Sequence, residues 1–197
     1  MRPKEVFTIG HSTHSFETFT DLLKKNGVQV VVDVRSNPYS RYAPQYNTNH
    51  LSQALARVGI KYLFMGKELG GRPKGEQFYN DEGYVLYSCI AQTTAFKKGI
   101  LRLESGLEKF KVAIMCSEED PTACHRRLLI GRVLREHGVQ IKHIRGDGGI
   151  QTEKTLITKM HSQNSIQMTF FQDQEADEWK SIRSVLPKGR PKISLEH

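Results

Sequence analysis

At 197 residues, with 38% hydrophobic and 25% charged side chains, the chain is long enough to bury a core without staples and is not composed like a disordered protein. No apolar run approaches the roughly 20 residues that cross a bilayer, and three cysteines do not make a disulfide framework. The net charge of +8 favours phosphate-bearing partners, a phosphorylated small molecule or nucleic acid, although lysine and arginine are spread along the chain.

The opening residues Met1 to Glu5 lead into too short an apolar stretch for a secretory leader, so a soluble cytoplasmic protein with no membrane association is expected. Val6-Phe7-Thr8-Ile9, ending at Gly10, predicts a strand, and Phe16, Phe19, Leu22 and Leu23 then recur at helical spacing until Asn26-Gly27. Val28 to Val34 is a nearly unbroken β-branched run that suits a strand buried on both faces. Leu51, Leu55 and Val58 mark a helix capped by Asn47 or Thr48 and stopped at Gly59, before a third strand at Lys61 to Met65. Gly66 to Gly75 is a glycine-rich connection, and about Tyr84 to Phe110 reads as helix with a break near Thr93-Thr94 or Ser105-Gly106. Lys111 to Cys116 is a fourth strand. Leu128, Leu129, Val133 and Leu134 then mark a helix ending at His137-Gly138, and Val139 to Ile144 is a fifth strand.

This alternation predicts a single α/β domain, a three-layer Rossmann-like fold with a mostly parallel sheet of about five strands. The strand order cannot be deduced. The domain is expected over residues 1–170, although periodicity fades beyond Arg145. Residues 171–194 read as a polar, mobile extension, and Leu195-Glu196-His197 reads as an expression-tag remnant.

In such a sheet, ligands bind outside the carboxyl ends of the strands. The loops there are all polar: Gly10 to His14, Asp33 to Pro38, Gly66 to Arg72 and Cys116 to Arg127. The opposite edge carries Gly27, Gly59 and Gly138, which are helix stops. His11, just past a strand-ending glycine, is an acid-base candidate as well as a possible helix cap, with Ser12 beside it. Asp33 ends a buried strand and needs a cationic partner, Arg35 or Arg41, and Ser36 follows in the same loop. Gly70 and Gly71 can form a simple turn or let backbone amides approach a ligand.

Cys124-His125-Arg126-Arg127 opens a helix, where the macrodipole and nearby cations lower a thiol's pKa, so Cys124 is a candidate nucleophile. The same first turn, with Arg126, can instead hold a phosphate or carboxylate. Cys116 is open to both a packing and a functional reading, Glu118 is a candidate proton carrier, and Cys89 reads as core. Eight residues part Cys116 from Cys124 and no second close pair completes a zinc spacing, so neither a metal nor another cofactor is expected.

Taken together, these motifs resemble a known family. Thr8-Ile9-Gly10-His11-Ser12, Val32 to Pro38 with Ser40-Arg41, Leu69-Gly70-Gly71, Met115-Cys116-Ser117-Glu118, Asp120-Pro121 and Cys124-His125-Arg126-Arg127 are similar to the domain of unknown function 488 family, from about Val6 to about Phe170. The resemblance implies an α/β fold and a set of signature polar residues. Two functions are consistent with the residues. One is a hydrolase or transferase acting on a phosphorylated, nucleotide or nucleic-acid-derived substrate, with chemistry at Cys124 and His11 and the anion held by Arg35 and Arg126. The other is a non-catalytic nucleotide or nucleic-acid binding module, or a thiol redox sensor built on Cys116 and Cys124.

Overall fold

The valine-rich strands place successive side chains on opposite faces, and each face has its own apolar layer. The computed structural model describes residues 4–164 and 179–185. Six strands form one sheet: β1 (Glu5–Gly10), β2 (Val30–Asp33), β3 (Lys61–Phe64), β4 (Val112–Cys116), β5 (Gln140–Ile144) and β6 (Ile150–Thr152), in the order β3-β2-β4-β1-β5-β6. All neighbours are parallel except β6, which pairs antiparallel with β5.

On one face Phe7, Ile9, Val31, Ala113 and Met115 meet helices α1 (Phe16–Lys25) and α2 (Thr48–Arg57) through Phe19, Leu23, Leu51 and Leu55. On the other, Val6, Val30, Val32, Val112 and Ile114 meet α4 (Tyr87–Gln92), α5 (Thr94–Leu107) and α6 (Arg132–Glu136). A short helix α3 (Gly66–Leu69) follows β3, and α7 (Glu153–Asn164) follows β6. This is the expected three-layer α/β fold, and the predicted helix break falls at Thr93, whose side chain caps α5. Gly27, Gly59 and Gly138 are left-handed at φ +65°, +77° and +80°, as helix stops require. No helix among the described residues is long and apolar enough to cross a membrane.

Two features differ from expectation. The chain after Arg145 forms β6 and α7, which sequence periodicity does not register. β6 has three residues, and Glu153 and Leu156 are the fully buried side chains of α7 among its described ones. Residues 179–185 of the expected mobile extension instead lie against the domain. Trp179 Nε1 donates to the Leu128 carbonyl at 2.8 Å, Ser181 exchanges hydrogen bonds with the backbone of Val85, and the Arg132 guanidinium covers the indole at 4.4 Å. The rest of the extension, including Lys188 to Lys192 and the 195–197 remnant, lies outside the described residues.

The chain leaves β2 toward β3 at one edge of the sheet and leaves β4 toward β5 at the other. The connections therefore part above the β2/β4 pair, and a crevice opens at their carboxyl ends.

Candidate functional site in the β2/β4 crevice

The β1 and β4 loops stay paired beyond their strands. His11 N donates to the Cys116 carbonyl at 3.0 Å and Ser12 N to that of Ser117 at 2.8 Å, with Ser12 in the left-handed region at φ 44°. A side chain on Gly10 would overlap the Glu118 carbonyl, so the glycine is what lets the β4 loop fold back over β1. From there the chain turns through Asp120-Pro121 to Cys124, whose carbonyl accepts from Arg127 N and Leu128 N, and continues as a wide π-helical turn, Arg126–Gly131, into α6. His125, just before this turn, faces the crevice, whereas Arg126, its first residue, is buried.

The crevice holds about 520 Å³ and is walled by Arg35, Ser36 and Asn37 after β2, Gly71 and Arg72 after α3, Val85 and Tyr87, Cys116 to Glu118 with Ala123 and His125, and Ser181 with Arg183 to Val185. Of the residues singled out from sequence, Arg35, Ser36, Gly71, Cys116, Glu118 and His125 form its walls. Asp33, His11, Arg126 and Cys124 stand behind them, Gly70 packs under Ser36, Ser12 is engaged in the β1/β4 pairing, and exposed Arg41 lies outside the crevice.

At its floor, Cys116 Sγ lies 3.7 Å from His125 Nδ1, and the other ring nitrogen, Nε2, lies 3.0 Å from the Val34 carbonyl. The carbonyl can only accept, so the proton sits on Nε2 and the Nδ1 lone pair faces the sulfur. Gly71 packs flat against this imidazole, and a Cβ there would sit 2.5 Å from the ring. Cys124 is fully buried, with its sulfur 3.9 Å from the same Nδ1. A hydrogen bond from the Cys124 thiol, helped by the charge of Arg126, draws the Cys116 thiol below its ordinary pKa, whereas burial pushes Cys124 well above. The expected activation of Cys124 by a helix start is thus overridden by desolvation, and Cys116 is the sulfur that faces the crevice.

The expected roles of His11, Arg35 and Arg126 change in the same way. Asp33 is completely buried. Its carboxylate accepts from Arg35 Nε (2.9 Å), Arg35 Nη2 (2.6 Å), the Arg35 amide (3.1 Å) and the Tyr62 hydroxyl (2.8 Å). Arg35 also donates to the Tyr46 carbonyl at 2.7 Å and, through Nη1, to His11 Nε2 at 3.2 Å. Four of its five N–H groups are thereby used, and one on Nη1 remains for the crevice.

His11 gives its Nδ1 proton to the Ser12 carbonyl at 2.9 Å and stacks on Tyr46 with centroids 4.1 Å apart. Burial lowers its pKa to about 4. With both nitrogens committed it positions Arg35 and offers the crevice no proton. Arg126, 1% exposed, donates to the carbonyls of Glu118 and Glu119 and to Thr8 Oγ1, so it anchors the β4 loop rather than a ligand.

Sequence reasoning missed Tyr87 and Arg183 as wall residues and passed over Arg72 in the glycine-rich loop. Nothing local marks Tyr87. The single tryptophan in an otherwise polar stretch was the available sign that the segment beside Arg183 packs.

Fold and crevice define a three-layer α/β protein with a thiol and an imidazole at the strand switch point. The chain belongs to the family described as Domain of unknown function DUF488, whose model matches residues 15–133. That span holds the β2, α3 and β4 loops and is narrower than the resemblance read from sequence, leaving out the β1 loop and everything from Leu134 onward. No curated protein matches the chain.

Proposed function

We propose that this protein is an enzyme that hydrolyses, or transfers a group from, a phosphorylated, nucleotide or nucleic-acid-derived substrate, with Cys116 as nucleophile and His125 as base. The observation that carries this reading is Cys116 Sγ at 3.7 Å from an imidazole nitrogen whose ring is held by the Val34 carbonyl, at the wall of an open crevice. A nucleophile, a base and a group that orients the base are the minimum for covalent catalysis. His125 Nδ1 takes the thiol proton as sulfur bonds to the electrophilic centre, and returns it to the leaving group as that bond breaks. Water, giving a proton to the same nitrogen, then displaces Cys116. The exposed guanidinium groups of Arg72 and Arg183, with the remaining Arg35 N–H, supply charge for an anionic substrate, and the crevice is of nucleotide size.

The test is a panel of nucleotides, sugar phosphates and short oligonucleotides, with product release followed by chromatography, and iodoacetamide alkylation of Cys116 followed by mass spectrometry. Cys116→Ser should abolish turnover, and His125→Gln should slow both turnover and alkylation. Full turnover in Cys116→Ser would overturn the reading.

A redox reading has one observation in its favour, the two thiols lying within 4.8 Å of each other. Peroxide would convert Cys116 to a sulfenic acid, and Cys124 would displace water to form a disulfide. Loss of both thiols together under peroxide, reversed by dithiothreitol, is its signature.

A further inference from the structure

We propose that Cys116, Cys124 and His125 form a binding site for a thiophilic divalent cation, Zn2+ foremost, with the fourth coordination position facing the β2/β4 crevice. The three donor atoms lie within 4.8 Å of one another, and the two sulfurs are 3.7 and 3.9 Å from the imidazole nitrogen. In a tetrahedral zinc site, metal–sulfur bonds of about 2.3 Å and metal–nitrogen bonds of about 2.0–2.1 Å put sulfur and nitrogen ~3.5 Å apart. Each sulfur needs to close on the imidazole nitrogen by only a few tenths of an ångström.

The donor set and its surroundings agree with this. Two thiolates and an imidazole favour zinc over magnesium or calcium. A ligating histidine commonly gives its other N–H to a carbonyl or carboxylate, which fixes the ring and aims the free lone pair at the metal. His125 does this with the Val34 carbonyl at 3.0 Å. Gly71 packs closely against the same side chain. The eight-residue spacing of the cysteines matches no zinc signature because the ligands come from a strand end and from the residues just before the π-helical turn, brought together by tertiary structure. Cys124 is sealed, whereas Cys116 and His125 wall the crevice, so the fourth position opens to solvent or an anionic ligand. Three protein donors with one open side is the arrangement of a reactive zinc site rather than of a closed structural one.

The inference does not rest on the catalytic proposal. Metal at Cys116 occupies the sulfur pair that would attack a substrate, so the loaded and nucleophilic forms exclude each other.

The experiment uses the full reduced chain, stripped with chelator and titrated with Co2+ and then Zn2+. We expect one equivalent of Co2+ to give the intense visible bands and sulfur-to-metal charge transfer of a tetrahedral thiolate site, and Zn2+ to displace it. Zn2+ should raise the melting temperature by mass action and block alkylation of Cys116. Cys116→Ser and His125→Gln, shown folded by circular dichroism, should each weaken binding by at least ~10-fold, and Cys89→Ser should leave it unchanged. A weak octahedral Co2+ spectrum, or tight binding that survives in both ligand variants, would overturn the inference. Absence of metal binding with Cys116-dependent turnover intact would sink the metal site alone. Metal binding with full turnover in Cys116→Ser would sink the nucleophile alone.

Discussion

Protonating His11 tests the cluster behind the crevice directly. The neutral ring accepts from Arg35 Nη1 at 3.2 Å, donates to the Ser12 carbonyl and stacks on Tyr46. A second proton would remove the acceptor, place a cation against Arg35 and charge a buried ring, and burial is the largest of the effects that lower its pKa to about 4. In the unfolded chain the same ring titrates near 6.5. The unfolded state therefore binds more protons between these values. The stability that His11 contributes is complete above about pH 6.5 and is withdrawn as pH falls through about 4. At about 1.4 kcal/mol per tenfold change in proton affinity, the loss is about 3 kcal/mol. His11→Gln cannot titrate. It should be less stable than wild type by about 2–3 kcal/mol at pH 7, having lost the ring's stacking on Tyr46 and one of its two hydrogen bonds, and that deficit should vanish by about pH 4. Urea denaturation followed by tryptophan fluorescence at several pH values measures the difference and cancels the carboxylates common to both proteins. A deficit that stays constant from pH 7 to pH 4, or a His11 resonance titrating near 6.5 in the folded protein, would refute the reasoning.

Gly71→Ala should displace His125, because the added methyl would sit 2.5 Å from a ring that hydrogen-bonds the Val34 carbonyl. The expected result is ~10-fold slower alkylation of Cys116 with a stability change of about 1–2 kcal/mol, read by mass spectrometry and urea denaturation. Arg126→Met keeps an unbranched apolar stem but strands the Glu118 and Glu119 carbonyls and Thr8 Oγ1. A loss of about 3 kcal/mol or more is expected, together with faster hydrogen exchange in the β4 loop.

What the sequence discloses about the fold follows from how each element is buried. β2 and β4 show as unbroken apolar runs because both faces are covered, and the glycines after α1, α2 and α6 mark their own turns. β6, an exposed edge of three residues, has no such run to show. The crevice is legible as a set of loops, because the carboxyl-edge rule needs only the strand ends. Direction is not. His11 and Arg126 have the chemistry of site residues, but a backbone turn points them into the protein, where carbonyls and other side chains use up their donors. Cys124 has the helix start that activates a thiol, but its complete burial outweighs the dipole. Arg183 reaches the crevice from a segment far along the chain, through the Ser181–Val85 pairing, which local pattern cannot foresee.

The same use of donors ties α7 to the β4 loop. Burial lowers the pKa of His143, so the ring is neutral and carries one proton. Its Nε2 lies 2.9 Å from the Glu153 carboxylate, which also takes a bifurcated bond from Arg127 Nε and stays below the ordinary carboxylate pKa despite burial, owing to His143 and Arg127. Neutral His143 therefore places its proton on Nε2 and accepts at Nδ1 from the Thr8 hydroxyl, 2.8 Å away. Thr8 in turn can only accept from Arg126 Nε, at 3.4 Å. Every donor in this buried chain points from Arg126 toward Glu153, and the remaining Arg126 groups hold the Glu118 and Glu119 carbonyls. In a chain with one consistent direction each donor has its acceptor, and such bonds polarise one another, so the chain is expected to be worth more intact than its pairs suggest. Its two ends are the β4 loop and the first turn of α7. The Glu118 carbonyl at the crevice is thus linked through Arg126, Thr8 and His143 to Glu153 of a helix packed against β5, whose own sequence carries almost no sign of it.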